Sequence, residues 1–514
     1  MKRHTQLSQA TLNRILQEAN AAWNQCAFQS AIDLLESARQ RDPANSRILL
    51  ELGRRHGLRY DYASAERCFE KAVNFSPNKT EILELAGRMS VDFASSQLAE
   101  HYFQRVAEQK DATPETCARL ADFYERLRRN EDAVRMVNRA LQQDANCALA
   151  RLTQARLIRQ TGQLEEAEQV VRPILLSAGR EIQIRGYYEL GAILDRQGRY
   201  DEAMTAYQQA KALLAPEAPP LLAQRLTVRT YLKGMEANLS GEALKRWGDL
   251  NPALPPASRV AFLGGYPRSG TTLLEQVLDS HPDIVTAEET SVFNDYALTP
   301  LRLKFPYNAN LVSVLESAPP ATLQQSRENY FYSMALQLGQ PIRGRLLIDK
   351  NPQNNFLLPA FLRIFPEIKL LIALRDPRDV CMSCFMQPHL PLTTGSVAYL
   401  NLEHTVEAYA ETMSFWRSLA PLVAGRFLEV RYEDMVEDLE SVARQTLEFL
   451  GVPWDPKVLG FNETARKKMV RSPTYADVTQ PIYKRAQGRW RKYQKYLEPH
   501  LARLEPFVKA FGYE

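Results

Sequence analysis

A chain of 514 residues exceeds what one hydrophobic core organises, so two or three domains are expected. Lys and Arg number 64 against 60 Asp and Glu, a net charge of +4, and this balance gives no overall pull toward nucleic acid or an anionic membrane. Six cysteines (Cys26, Cys68, Cys117, Cys147, Cys381, Cys384) are too sparse for a disulfide scaffold, and reduced thiols are expected.

The start, Met1 to Ala10, lacks the apolar core of a secretory signal, and no later run approaches the ~20 apolar residues of a membrane span. The expectation is a cytoplasmic protein. Small residues then recur at Ala31, Ala65, Ala99, Ala133, Ala167 and Ala203, at steps of 34, 34, 34, 34 and 36. Four residues after each stands a large apolar one (Leu35, Phe69, Phe103, Val137, Val171, Tyr207), and three further on Ala38, Ala72, Val106, Ala140, Ile174 or Ala210. Leu52-Gly53, Ala86-Gly87 and Leu190-Gly191 precede three of the alanines, and Pro43 and Pro77 close two repeats. The period predicts paired helices stacked into a solenoid, each burying its apolar face against the next, and it resembles the tetratricopeptide repeat. Such an array is either a grip for a peptide or protein partner or a scaffold and dimerisation arm; a homodimer is one option for the oligomeric state, which the sequence leaves open.

Pro216, Pro219 and Pro220 break the last repeat helix, a helix is predicted near Leu221 to Glu236, and Asn251-Pro-Ala-Leu-Pro-Pro256 reads as a linker. The expected division is an all-α solenoid over 1–215, a connector over 216–258 and a second domain over 259–514. In that last part, strand-length apolar runs (Val260 to Leu263, Leu346 to Ile348, Leu370 to Leu374, Phe427 to Val430) alternate with helical patterns, which predicts an α/β domain with a mainly parallel sheet. Each run ends beside a polar residue able to do chemistry: the Arg268 loop, Asp349-Lys350, Arg375, and Arg431-Tyr432. Ligands gather outside the carboxyl ends of strands in open α/β sheets, so these places can converge on one crevice.

The first run continues through Gly264-Gly-Tyr-Pro-Arg-Ser-Gly-Thr-Thr272 into an amphipathic helix. Strand, glycine-bearing loop and helix start together form an anion cradle, because free N–H groups at the helix start point at the ligand. Arg268, Ser269, Gly270, Thr271 and Thr272 would line it. Gly265 to Thr272 follows the common phosphate-loop spacing but has Thr271 where nucleotide hydrolases carry lysine, which argues against γ-phosphoryl chemistry.

Tyr266-Pro-Arg-Ser-Gly-Thr-Thr272, Leu278-Asp-Ser-His-Pro282 and Glu288-Glu-Thr290 together resemble the sulfotransferases that use 3′-phosphoadenosine-5′-phosphosulfate, most nearly their tyrosylprotein branch. The resemblance covers roughly the last half of the chain. It implies that Arg268 and its loop hold the 5′-phosphosulfate and that no metal takes part. Glu289 would be the general base for the acceptor hydroxyl, and Lys350 would steady charge on the departing bridging oxygen. Glu288 reads as the acidic first turn of a helix. Arg375, with Ser383 eight residues on, matches the 3′-phosphate segment; the alternative is an arginine paired with Asp376 or Asp379. Tyr432 matches a cofactor-contacting tyrosine or is a core residue. Ser472, Thr474 and Arg489 fall in a basic stretch resembling the family's late 3′-phosphate loop, or a solvated charge run.

Cys381-Met-Ser-Cys384 reads as buried thiols, and His281, His389 and His404 are too scattered for a metal site; His404 could line an acceptor cleft. Ser291 stands where the resembling enzymes carry an arginine that helps hold acidic peptide. The acceptor class therefore stays wide: peptide tyrosine, carbohydrate, lipid or a small phenol. The rival readings are a phosphate-loop kinase and a non-catalytic interaction protein that keeps the sulfotransferase fold as a dock.

Overall fold

All six alanines of the repeat have no exposed surface, because that is where the two helices of each pair touch. In the computed structural model, which describes residues 7–93, 95–109, 112–250, 259–306, 309–465, 479 and 482–513, the chain divides into two compact units, Met1–Leu157 and Ile158–Glu514.

The first unit consists of antiparallel helix pairs: Gln9–Asn24 with Phe28–Arg41, Ser46–Leu58 with Tyr62–Phe75, Lys79–Asp92 with Ser96–Ala107, and Pro114–Arg126 with Asn130–Gln143. The glycines of the repeat permit close approach. A Cβ at Gly87 would lie 2.8 Å from the Phe103 ring, and one at Gly53 would run into Phe69. Asn45, Asp61, Asn78, Ser95 and Thr113 cap successive helices by accepting a hydrogen bond from a backbone N–H of the first turn.

The second unit opens with repeat-like helices, ending in the pair Arg180–Arg196 and Tyr200–Leu214, where Gly191 meets Tyr207 as Gly53 meets Phe69. Helices Ala218–Asn238 and Gly241–Leu250 follow, the first with Pro219 and Pro220 in its opening turn, where a missing N–H costs nothing. The linker expected at Asn251 to Pro256 lies outside the described residues.

Five parallel strands follow: β1 (Arg259–Gly265), β2 (Ile284–Glu288), β3 (Leu346–Lys350), β4 (Lys369–Leu374) and β5 (Phe427–Arg431), in the order β2-β3-β1-β4-β5. Four of them are the predicted apolar runs. β2 is an edge strand that the hydrophobic pattern did not reveal, and it corrects the reading of Glu288: this residue ends a strand, in register with Lys350, rather than opening a helix.

One face of the sheet (Ala261, Leu263, Ile284, Ile348, Leu371, Ala373) packs on helices Thr271–Asp279 and Leu439–Leu450. The other carries an aromatic cluster in which Phe262 meets Phe361, and Phe293 and Tyr330 meet Phe365. Connections run to one side of β1 for β2 and β3 and to the other for β4 and β5. The carboxyl ends therefore flank a topological switch point.

Candidate active site

The loop after β1 is shaped by backbone constraint before any side chain acts. Gly265 has φ +125°, and a Cβ there would collide with the Ala373 carbonyl oxygen of β4. Asn355 fixes the same residue, its Oδ1 accepting from the Gly265 N–H at 3.2 Å and its amide donating to the Gly265 carbonyl. Arg268 then sits at φ +75°, a conformation that costs a non-glycine residue on the order of 1–3 kcal/mol. Gly270, at φ +93°, precedes helix Thr271–Asp279, whose start no side chain caps. Its first N–H groups, without a side-chain cap among the described residues, lie beside buried Ser269, Thr271 and Thr272, the arrangement by which helix starts can hold anions.

Arg268 and Ser383, 115 positions apart, meet: the Arg268 Nε donates to the Ser383 Oγ at 3.1 Å. Ser383 lies on helix Pro377–Met386 after β4, and on the same helix the Cys384 thiol donates to the Pro267 carbonyl at 3.4 Å, bracing the loop. Cys381 and Cys384 are both buried free thiols; burial pushes the Cys384 thiol up to about 12.

Arg375, at the end of β4, donates through Nη1 to the Arg268 carbonyl at 3.3 Å and through Nη2 to the Ala486 carbonyl at 2.5 Å. Its guanidinium lies 4.9 Å from the Tyr432 ring centroid and 3.8 Å from Asp379. Its Nε is buried with no hydrogen-bond partner among the described residues. Tyr432 is 8% exposed and belongs to the core beneath the loop, against Gly270. Asp379 accepts from the backbone N–H groups of Gly488 and Trp490 at 2.7 and 2.8 Å, which seats the late loop on this helix. Arg489, between them, pairs with Asp195 of helix Arg180–Arg196 at 2.9 Å. Ser472 and Thr474 lie outside the described residues.

At the ends of β2 and β3, Lys350 is fully buried and faces three carboxylates: Glu289 at 2.8 Å, Glu275 at 3.3 Å and Glu288 at 3.4 Å. Burial by itself would lower its pKa; Glu275, then Glu289 and Glu288, more than offset this and hold the ammonium above the usual lysine range. Glu289 is in the left-handed region at φ +47°, its N–H donating to the Lys350 carbonyl at 2.7 Å. Both non-glycine residues of this sheet domain with positive φ, among those described, are thus predicted site residues. Glu275 escaped the sequence reading, although a carboxylate inside the apolar run Leu273-Leu-Glu-Gln-Val-Leu278 was a readable signal.

The histidines serve structure. His281 accepts from the Asp283 N–H at 3.0 Å and contacts the Pro453 carbonyl at 2.8 Å, while His404 is tied to Asn401 in the first turn of its helix. Buried His389 is pushed down to about 4.

Residues 261–456 match the model of the Sulfotransferase family, and residues 119–175 and 184–214 match models of the tetratricopeptide repeat. The chain joins tetratricopeptide repeats to a sulfotransferase-family domain. A protein-tyrosine sulfotransferase 1 of Danio rerio is 26% identical over 50% of this chain and 72% of its own length. Protein-tyrosine sulfotransferase A of Caenorhabditis elegans is 27% identical over 39% of this chain and 52% of its own. An uncharacterised protein of Aquifex aeolicus is 25% identical over 67% of this chain, which spans 44% of that protein. Among solved structures, the sulfotransferase domain of the Synechococcus PCC 7002 olefin synthase covers 50% of this chain and 97% of its own, at 22% identity and a TM-score of 0.36. No helix among the described residues is long and apolar enough to cross a membrane.

Proposed function

We propose that the chain transfers a sulfuryl group from 3′-phosphoadenosine-5′-phosphosulfate to a hydroxyl acceptor. One observation carries the reading: a loop with free helix-start amides, two arginines and a lysine–glutamate pair 2.8 Å apart converge at the carboxyl ends of one parallel sheet. The residues fit the nucleotide. Gly270 leaves the space that a Cβ would fill against Tyr432, and the unpartnered buried Nε of Arg375 is a donor awaiting an anion. Arg268 with the loop amides would hold the 5′-phosphosulfate; Arg375 and Ser383 would hold the 3′-phosphate, with Tyr432 packed beneath Arg375. Arg489, engaged by Asp195, is left out of this set.

The donor supplies a sulfuryl group whose bond to the phosphate oxygen breaks as the acceptor oxygen bonds to sulfur. Glu289, with its side chain 34% exposed, takes the proton of the acceptor hydroxyl. Lys350 stabilises charge as it grows on the departing oxygen. The acceptor stays at the class of hydroxyl compounds; the names of the animal relatives point to tyrosine in proteins. The helical repeats would bind a peptide or protein partner, and the proposed setting is the cytoplasm.

Calorimetric titration with the desulfonated product, 3′-phosphoadenosine-5′-phosphate, tests the reading, with ATP and magnesium as control. The expected result is metal-free binding weakened about tenfold or more in Arg268→Ala and in Arg375→Ala, as for lost charge-assisted contacts of ~1.5–3 kcal/mol. No binding, or a preference for ATP with magnesium, removes it.

A further inference from the structure

We propose that Glu275 is a positioning residue of the transfer site, the buried counter-charge that keeps Lys350 protonated and in place once Glu289 has taken the acceptor's proton. The inference rests on the reading of Lys350 and Glu289 given above. The three carboxylates around Lys350 are graded from inside outward: side-chain exposure is 0% for Glu275, 12% for Glu288 and 34% for Glu289. Only the outermost is well placed to meet an acceptor, and it is also nearest to the ammonium.

That arrangement poses a charge problem. When the acceptor's proton moves to Glu289, the carboxylate at 2.8 Å becomes neutral while the ammonium must stay charged to meet the departing oxygen. A fully buried ammonium that loses its counter-ion tends to lose its proton as well. Glu275 answers this, since it stays 3.3 Å from Lys350, lies inside the protein and has no part in accepting the proton.

Glu275 is itself held. The Thr286 hydroxyl lies 3.1 Å from its Oε1 and 2.9 Å from Oδ1 of Asp279, so one hydrogen serves two carboxylates of the same helix. That helix also begins with the loop amides, and Glu275 stands one turn after Thr271. Among the described residues, the other elements bring Glu288 of β2 and Glu289 within ion-pairing distance; Leu263 is the β1 residue in register with Lys350, and it brings no titratable group.

The test measures binding of 3′-phosphoadenosine-5′-phosphate to the full chain by calorimetry from pH 7.5 to 10, above the range where the ligand's phosphates titrate. Wild type is expected to keep its affinity across the range. With Glu289→Gln standing for the protonated carboxyl, the Glu289→Gln variant should keep most of the flat profile. Glu289→Gln with Glu275→Gln should lose about tenfold or more between pH 8 and 10 as Lys350 deprotonates, Glu275→Asp in the same background should restore most of the flat profile, and Lys350→Met should bind weakly with no slope. A profile of the double variant Glu289→Gln with Glu275→Gln superposing on that of Glu289→Gln alone overturns the inference while leaving the function standing. Absence of binding in wild type, or full affinity in Lys350→Met, overturns the reading beneath it as well. Should the double variant not fold, Glu289→Gln with Glu275→Met takes its place, and a profile unchanged from that of Glu289→Gln alone counts against Glu275 in the same way.

Discussion

Asp349 and Lys350 are adjacent in sequence and opposite in fate, because successive side chains of a strand point to opposite faces. Lys350 joins the carboxylates under the loop, whereas Asp349 enters the aromatic side of the sheet, where the Tyr330 hydroxyl donates to its Oδ2 at 2.9 Å and Oδ1 has no partner among the described residues. Burial pushes the Asp349 carboxyl up to about 7, with the Tyr330 hydrogen bond pulling the other way. The folded state therefore holds this proton more tightly than the unfolded chain, whose carboxyl titrates near 3.8. Its adverse contribution is absent below pH 4, grows as pH rises through that window and is complete above 7. Asp349→Asn, which keeps an acceptor for Tyr330, should stabilise the protein at pH 8 by up to ~4 kcal/mol and hardly at all at pH 4. Urea unfolding at the two pH values measures this, and an equal offset at both would show that the carboxyl does not titrate in this window. The sequence marked Asp349-Lys350 as a chemical strand end, but only the alternation of the strand separates the residue at the site from the one behind it.

Strand ends and the turns that follow them carry most of the site, and their legibility varied with local chemistry. The loop from Gly265 to Gly270 was readable because only glycine meets its needs: one position at φ +125° against the Ala373 carbonyl and another at φ +93° beneath Tyr432. β2 was not readable. Its five residues, Ile-Val-Thr-Ala-Glu, form an edge strand paired only with β3, too short and too mixed to stand out from the turn before it. Glu288, its last residue, was therefore read as the first turn of a helix, Glu289 after it was assigned by resemblance, and the left-handed turn at Glu289 came as a finding. Gly265→Ala tests the first of these elements. Strain at this φ together with the backbone collision should cost about 2–4 kcal/mol, enough to lower the unfolding midpoint visibly in a thermal scan. An unchanged midpoint would mean that β4 yields more easily than its packing implies.

At the scale of the second unit, the last repeat pair and the loop after β1 are joined by a continuous path of polar contacts. Asp195 accepts from Arg489 at 2.9 Å and from the Tyr493 hydroxyl at 2.6 Å; the N–H groups flanking Arg489 are fixed on Asp379, and Arg375 beside Asp379 reaches the Arg268 carbonyl. Periodicity made the repeats countable, yet nothing in a period can show that Asp195 meets a residue 294 positions later. Arg489 thus read as part of a phosphate loop, while its contacts tie that loop to a helix of the repeat. Asp195→Ala leaves a largely enclosed guanidinium without its counter-ion and frees the late loop from one of its anchors. The expected result is a three- to thirtyfold loss of affinity for 3′-phosphoadenosine-5′-phosphate, the range of ~0.5–2 kcal/mol seen for couplings carried through packed networks. Asp201→Ala is the control, since its ion pair with Lys495 is exposed on both sides and touches no part of the path. Equal affinities for the Asp195 variant and wild type would show that Asp379 and Arg375 hold the loop without Asp195 and that the repeat only rests on it. A loss confined to the Asp195 variant would make the last repeat pair a working part of the proposed nucleotide site.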